Sequence, residues 1–104
     1  MVIKSAKEIH EEWRKRILAQ YLEDIPVEKE FEIALQINKA IHNGMPDTIY
    51  DKVWEGEVHN GKRLYESITK YLEAMGYTVD CHKSTITDRM NIHIRWDRPK
   101  EMAI

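Results

Sequence analysis

Residues that could bind an anionic ligand are concentrated near the C-terminus of the 104-residue sequence. Between positions 82 and 100 the chain carries five Lys and Arg side chains against two Asp, a local net charge of +3. Arginine binds phosphate through a fork of N–H groups, and aromatic rings stack on bases. We therefore predict a site in which Arg clamps a phosphate, His donates to it and Trp stacks on a base. The residues predicted to form it are Arg89, His93, Arg95, Trp96 and His82.

The same region also fits a purely structural role. Charged side chains protect an exposed sheet edge against pairing with other chains. Asp80 could pair across two strands with Arg95 or His93, since opposite charges on neighbouring strands attract. The sequence leaves both interpretations open.

Other kinds of chemistry find little support in the residue spacing. Cys81 and His82 are adjacent, so strand alternation sends them to opposite faces, and no zinc-site spacing occurs. Cys81 alternates with apolar residues and is expected to be a buried, inert thiol. Neither a nucleophile elbow nor a phosphate-binding glycine loop is present. We therefore expect no metal, no cofactor and no catalytic residues, and interpret the protein as a non-enzyme.

Composition limits the class of protein further. The sequence has 16 Lys and Arg against 18 Asp and Glu, a net charge of −2, which excludes a strongly basic chain that coats nucleic acid. The 42% of apolar residues argues against disorder. A single cysteine, no signal-peptide pattern and no apolar run of about 20 residues predict a cytoplasmic protein without a membrane segment. Met1 suggests a complete natural chain.

Three helices are expected to support the C-terminal residues. Ser5 and Glu8 have capping-box spacing, and apolar residues recur every four positions after them. Pro26 breaks the first helix, and Gly44 ends a second one whose apolar stripe is unusually wide. A local charge of −4 over residues 23–32 surrounds the break between them. The predicted helices span residues 5–23, 27–43 and 62–75.

Two strands are predicted after the third helix. Residues 77–82 and 90–96 each alternate apolar and polar side chains, which is typical of a half-buried antiparallel hairpin. Residues 45–61 could be strand, helical turn or loop. An isolated hairpin is marginal in water, so the helices must cover its apolar face. The predicted fold is α+β, with three helices packed on a small antiparallel sheet built around a C-terminal β-hairpin, in a single domain covering residues 1–104.

A homo-oligomer is expected on two grounds. The wide apolar stripe of the second helix predicts contact on two sides, and the small sheet leaves strand edges that a second subunit could cover. A monomer with short, twisted edges is the alternative.

The spacing of several residues resembles that of a group of viral proteins. The patterns are Ile37-x-x-Ala-Ile-x-x-Gly44, Leu64-Tyr65, Leu72, Gly76-Tyr77-x-Val79 and Ile92-x-Ile94-x-Trp96. They resemble small phage-encoded early proteins, in which helices precede a hairpin that reads GY-x-V … I-x-W. The similarity covers about residues 34–96.

This resemblance implies a counter-defence protein that acts by stoichiometric binding in the cytoplasm of a host cell. It would either sequester a signalling nucleotide in a pocket at a subunit interface or block a host defence protein. The blocker would use the acidic residues 23–32 or the segment 45–61. A small nucleic-acid-binding regulator is the alternative from another class, which the net charge makes the less expected one.

Overall fold

Capping residues mark where the first two helices begin and where the second one ends. The structure, a computed structural model, describes residues 3–97. The Ser5 hydroxyl accepts the backbone N–H of Glu8 at 3.3 Å and caps the first helix. Pro26 is the N-cap of the second helix, and Gly44 follows that helix with a φ of +70°, the left-handed conformation that favours glycine.

Three helices and five strands follow one another along the chain. The elements are α1 (Ala6–Glu23), α2 (Val27–His42), β1 (Asp47–Trp54), β2 (Val58–His59), β3 (Lys62–Arg63), α3 (Leu64–Ala74), β4 (Thr78–Lys83) and β5 (Arg89–Arg95). The main sheet is antiparallel in the order β1-β5-β4, so that the last strand is central. β2 and β3 form a separate two-stranded ribbon. The turn between them is Asn60-Gly61, where both residues have positive φ.

The core lies between the sheet and helices α2 and α3. Its largest fully buried side chains come from β1, α3 and β5; they are Tyr50, Val53, Leu64, Ile68, Ile92 and Ile94. The Tyr50 hydroxyl donates to Glu32 Oε2 at 2.9 Å, which joins β1 to α2. Burial and the Glu32 carboxylate raise the pKa of Tyr50, so the phenol stays protonated.

Helix α2 also covers the free edge of β1 with polar side chains. The Gln36 amide donates to the Thr48 hydroxyl at 3.0 Å and to the backbone carbonyl of Ile49. The Lys29 ammonium donates to the carbonyl of Lys52 at 2.6 Å. These bonds satisfy backbone acceptors that a strand at the edge of a sheet otherwise leaves to water.

Helix α1 packs less deeply than the other two helices. It contacts α3, and none of its residues is buried. Ile9 and Trp13, which begin its predicted apolar stripe, are about half exposed. The stripe therefore meets α3 only in the second half of the helix, where Ile17 and Tyr21 are partly covered.

The structure confirms the predicted α+β fold with three helices and a small antiparallel sheet that contains the C-terminal hairpin. α3 begins at Leu64, two residues later than predicted, because Lys62 and Arg63 pair with β2 instead. Residues 45–61, for which the sequence allows strand, helical turn or loop, contain strand β1, strand β2 and the ribbon turn.

Candidate functional site

The side of the main sheet opposite the core, here called the outer face, carries the predicted binding residues. Period-two alternation sends Met90, Ile92 and Ile94 of β5 into the core. The remaining residues of β5 therefore point outward, where none of them is buried. The outer face consists of Asp47, Ile49 and Trp54 of β1, Arg89, Asn91, His93 and Arg95 of β5, and Thr78, Asp80 and His82 of β4.

Four of the five predicted site residues lie on this face. Arg89, His93 and Arg95 alternate along β5, and His82 of β4 is in register with Asn91. Arg98 and Lys100, which contribute to the predicted basic region, lie outside the described residues.

Trp96 is separated from the other predicted site residues. It packs against the hydrophobic core, and its ring meets that of Tyr77 edge to face with centroids 6.4 Å apart. The alternation that sends Arg95 outward sends Trp96 inward with Ile94. Trp96 is therefore not placed to stack on a base held by the outer-face cations, and its aromatic surface contributes to packing.

Two of the predicted site residues on the outer face are paired with carboxylates. Arg95 Nη2 lies 3.1 Å from Asp80 Oδ2, and His93 Nε2 lies 2.7 Å from Asp47 Oδ2. Both pairs are diagonal, because Arg95 is in register with Asp47 and His93 with Asp80. All four side chains remain partly exposed, so each pair contributes about 0–1 kcal/mol to stability. A phosphate ligand would have to displace these carboxylates.

An aromatic residue that sequence reasoning missed lies at the other end of the outer face. Trp54 is in register with Arg89, whose guanidinium carbon lies 5.1 Å from the Trp54 ring centroid. A cation over an aromatic ring at an exposed site contributes about 0.5–1 kcal/mol. The strand-forming run that ends at Trp54 was visible in the sequence. However, a bulge between Tyr50 and Val53 breaks the alternation of apolar and polar residues in this run. The sequence therefore does not predict on which face of the sheet Trp54 lies.

Several polar contacts hold the backbone around Trp54. Glu55 donates its backbone N–H to the Asp88 carbonyl at 2.7 Å, and its carboxylate lies 2.9 Å from the Lys83 ammonium. That carboxylate raises the pKa of Lys83, which stays charged. The backbone N–H of Trp54 donates to Glu57 Oε1 at 3.3 Å. These contacts tie the ends of β1, β4 and β5 together beneath an exposed indole ring.

The one thiol of the chain is partly buried on the inner side of β4. Cys81 packs against the core from β4, and burial raises the pKa of its thiol. A raised pKa keeps the group protonated and poorly nucleophilic. Within residues 3–97 no group of three or more His, Cys, Asp or Glu side chains lies close enough together to hold a metal ion.

A groove lined mainly by apolar residues lies in the helical layer, away from the outer face. The residues that line it include Ala34, Ile37, Tyr71, Leu72 and Met75. This groove runs between α2 and α3, so it is separate from the predicted site. None of the helices within residues 3–97 combines the length and the apolarity that crossing a membrane requires.

The outer face is thus a flat surface with an exposed Trp–Arg contact at one end and paired charges at the other. Comparison of the chain with protein-family models, with curated proteins and with solved structures found no match.

Proposed function

We propose that this protein acts without catalysis, as a homo-oligomer that binds a partner protein stoichiometrically through the outer face. The observation that supports this is the contact between the Arg89 guanidinium and the half-exposed ring of Trp54. Trp and Arg are among the residue types that most often dominate the binding energy of protein interfaces. The resemblance to phage counter-defence proteins makes a host defence protein in the cytoplasm the expected partner.

The charge pattern of the outer face favours a protein over a polyanion. Arg95 and His93 each have a carboxylate beside them, so this region does not present a row of unpaired positive charge. Ile49, which lies on the same face of β1 as Trp54, is 53% exposed. A surface that combines an aromatic ring, an aliphatic side chain and Arg with paired charges around them fits the composition of a protein interface.

A signalling nucleotide is the second candidate ligand, and the Trp54–Arg89 contact also supports it. The ring could stack on a base while the guanidinium binds a phosphate. Because the outer face is open, a second subunit would have to close such a pocket. A ligand that also extended along the face to Arg95 would have to displace Asp80, which makes the nucleotide the weaker proposal. A nucleic-acid-binding regulator would meet the same carboxylates beside Arg95 and His93.

The test compares Trp54→Ala with a matched control. Ile86, which is 90% exposed in the turn between β4 and β5, provides the control Ile86→Ala. Tagged wild type and both variants are expressed in the host cell, purified, and analysed by native mass spectrometry. We expect wild type and Ile86→Ala to retain one partner protein at a fixed ratio, and Trp54→Ala and Arg89→Glu to lose it.

Two outcomes would contradict the protein-binding proposal. One is equal retention of the partner by wild type and by Trp54→Ala. The other is a rise in melting temperature with a cyclic or linear nucleotide that Arg89→Ala abolishes, because that result would assign the outer face to a nucleotide. Binding whose affinity falls steeply with salt would instead indicate nucleic acid.

A further inference from the structure

Helix α2 has a second apolar surface that no part of the described chain covers. Ile33, Ile37 and Ala40 face the core. Elsewhere on the helix, and just beyond its end, five large apolar side chains are between 50% and 76% exposed. They are Val27, Phe31, Leu35, Ile41 and Met45. We call these five residues, together with Ala34 and Asn38, the α2 stripe.

The spacing of the α2 stripe is that of a helix-pairing seam. Residues 27, 31, 34, 38 and 41 are separated by alternate steps of four and three, as the two core positions of a heptad repeat are. Exposed apolar patches of this kind on a small domain mark interaction sites. The stripe also borders the groove between α2 and α3, since Ala34 and Asn38 line both.

We propose that a second copy of this chain binds the α2 stripe, with the two α2 helices antiparallel about a two-fold axis beside Leu35. The inference specifies the homo-oligomer of the proposed function. It does not depend on what the outer face binds, because the stripe lies in the helical layer and the outer face lies on the other side of the sheet.

The antiparallel register matches the exposed apolar side chains of the stripe with one another. In a two-fold arrangement, the positions of facing core residues add to a constant, and the value 72 pairs residue 31 with residue 41 and residue 34 with residue 38. Leu35 lies beside the axis and meets its own copy there. Ala34 faces Asn38, which leaves space for the polar amide, and a polar residue at such a position helps to define a single register. The apolar contacts are Phe31 with Ile41 and, on the flank of the seam beside the axis, Leu35 with Leu35.

Charge supports the same orientation. The first turn of α2 carries Glu28 and Glu30, whereas the last turn carries Lys39 and His42. An antiparallel pair brings the acidic first turn of each helix to the end of the other helix that carries Lys39. A parallel pair would bring Glu28 beside its own copy, and like charges across an interface are unfavourable. A surface that is complementary to itself under a two-fold rotation fits a second copy.

The test measures the mass of the particle in solution by analytical ultracentrifugation. Wild type is expected at twice the 12.4 kDa chain mass. Leu35→Asp and Leu35→Lys should each raise the dimer dissociation constant at least 100-fold, because each places like charges opposite each other at the axis. An equimolar mixture of the two variants should restore a dimer containing one of each. Ile86→Asp, at an exposed position outside the stripe, should remain dimeric.

The equimolar mixture of Leu35→Asp and Leu35→Lys distinguishes a second copy of this chain from any other partner. Leu35 is about half exposed in one subunit, so both variants should retain the wild-type circular dichroism spectrum. A monomeric wild type, a dimer that persists in Leu35→Asp, or a mixture that stays monomeric would each overturn the proposal. Trp54→Ala should stay dimeric even if it loses its partner protein, so that failure of the proposed function and failure of the dimer are separately visible.

Discussion

The outer face of the sheet and the α2 stripe are both exposed, but they differ in how their side chains are accommodated in water. On the outer face, Arg95 and His93 each have a carboxylate beside them, and Arg89 lies over an aromatic ring. On the α2 stripe, large apolar side chains such as Phe31 and Leu35 lie next to solvent. The first surface is stable when exposed, whereas the second gains free energy from being covered.

This difference separates two kinds of binding. A partner of the outer face must compete with interactions already present, so binding there is selective and depends on a few residues such as Trp54. Association through the α2 stripe is driven by burial of apolar area, about 25 cal/mol per Å² removed from water. We therefore expect the stripe to be covered by assembly and the outer face to remain available to a ligand.

The largest expected effect comes from the core that supports both surfaces. Ile92 is fully buried in the central strand, beneath the outer face and against the helical layer. Ile92→Ala should lower the free energy of unfolding by about 2–5 kcal/mol, because it removes buried methyl groups and leaves a cavity. Urea denaturation measures this change. A loss below about 1 kcal/mol would show that the two surfaces do not depend on this shared support.

A second change should act on the α2 stripe alone. Phe31→Ala should raise the dimer dissociation constant about 100-fold, since each of two Phe side chains, already partly buried in one subunit, would lose about 1.4 kcal/mol of further burial. Phe31 is 63% exposed in one subunit, so the stability of the dissociated subunit should change by less than about 0.5 kcal/mol. Sedimentation measures the first quantity, and thermal unfolding of the dilute protein measures the second. If the dissociated subunit lost as much free energy of unfolding as the dimer lost free energy of association, Phe31 would be a core residue and not a residue of an interaction surface.

The smallest effect is expected on the outer face. Asp80→Asn removes the carboxylate partner of Arg95 and should change the free energy of unfolding by no more than about 1 kcal/mol. The difference from wild type should shrink further at high salt, because ions screen exposed charges. Urea denaturation at two salt concentrations measures it. A loss above 2 kcal/mol at both salt concentrations would mean that the paired charges are structural in a way that their exposure does not predict.

Regular periodicity explains how much of the fold could be predicted from the sequence. Apolar residues repeat at helical spacing in α2 and α3 and at strand spacing in β4 and β5, and these elements lie within two residues of their predicted ends. The sequence does not identify β1 as a strand, because the bulge at Asp51 and Lys52 shifts its apolar–polar alternation by one residue. The start of α3 depends on the pairing of β3 with β2, a contact that no local pattern encodes.

The candidate site was harder to predict than the fold. Alternation alone assigned Arg89, His93 and Arg95 to one face, and it also assigned Trp96 to the other. Only the position of β1 beside β5 brings Trp54 to Arg89, and only the diagonal geometry decides which carboxylate meets which cation. Both the Trp54–Arg89 contact and the choice of carboxylate depend on the register between strands that are distant in sequence, and local sequence patterns do not give this register.

The polar side chains of α2 along β1 have a further consequence for how copies of this protein can associate. The Gln36 amide and the Lys29 ammonium engage the carbonyls of Ile49 and Lys52 on the side of β1 that faces away from β5. An incoming strand would need those carbonyls as acceptors and would have to displace both side chains first. The edge at β1 is therefore closed to strand addition, the step by which exposed sheets recruit one another into fibrils.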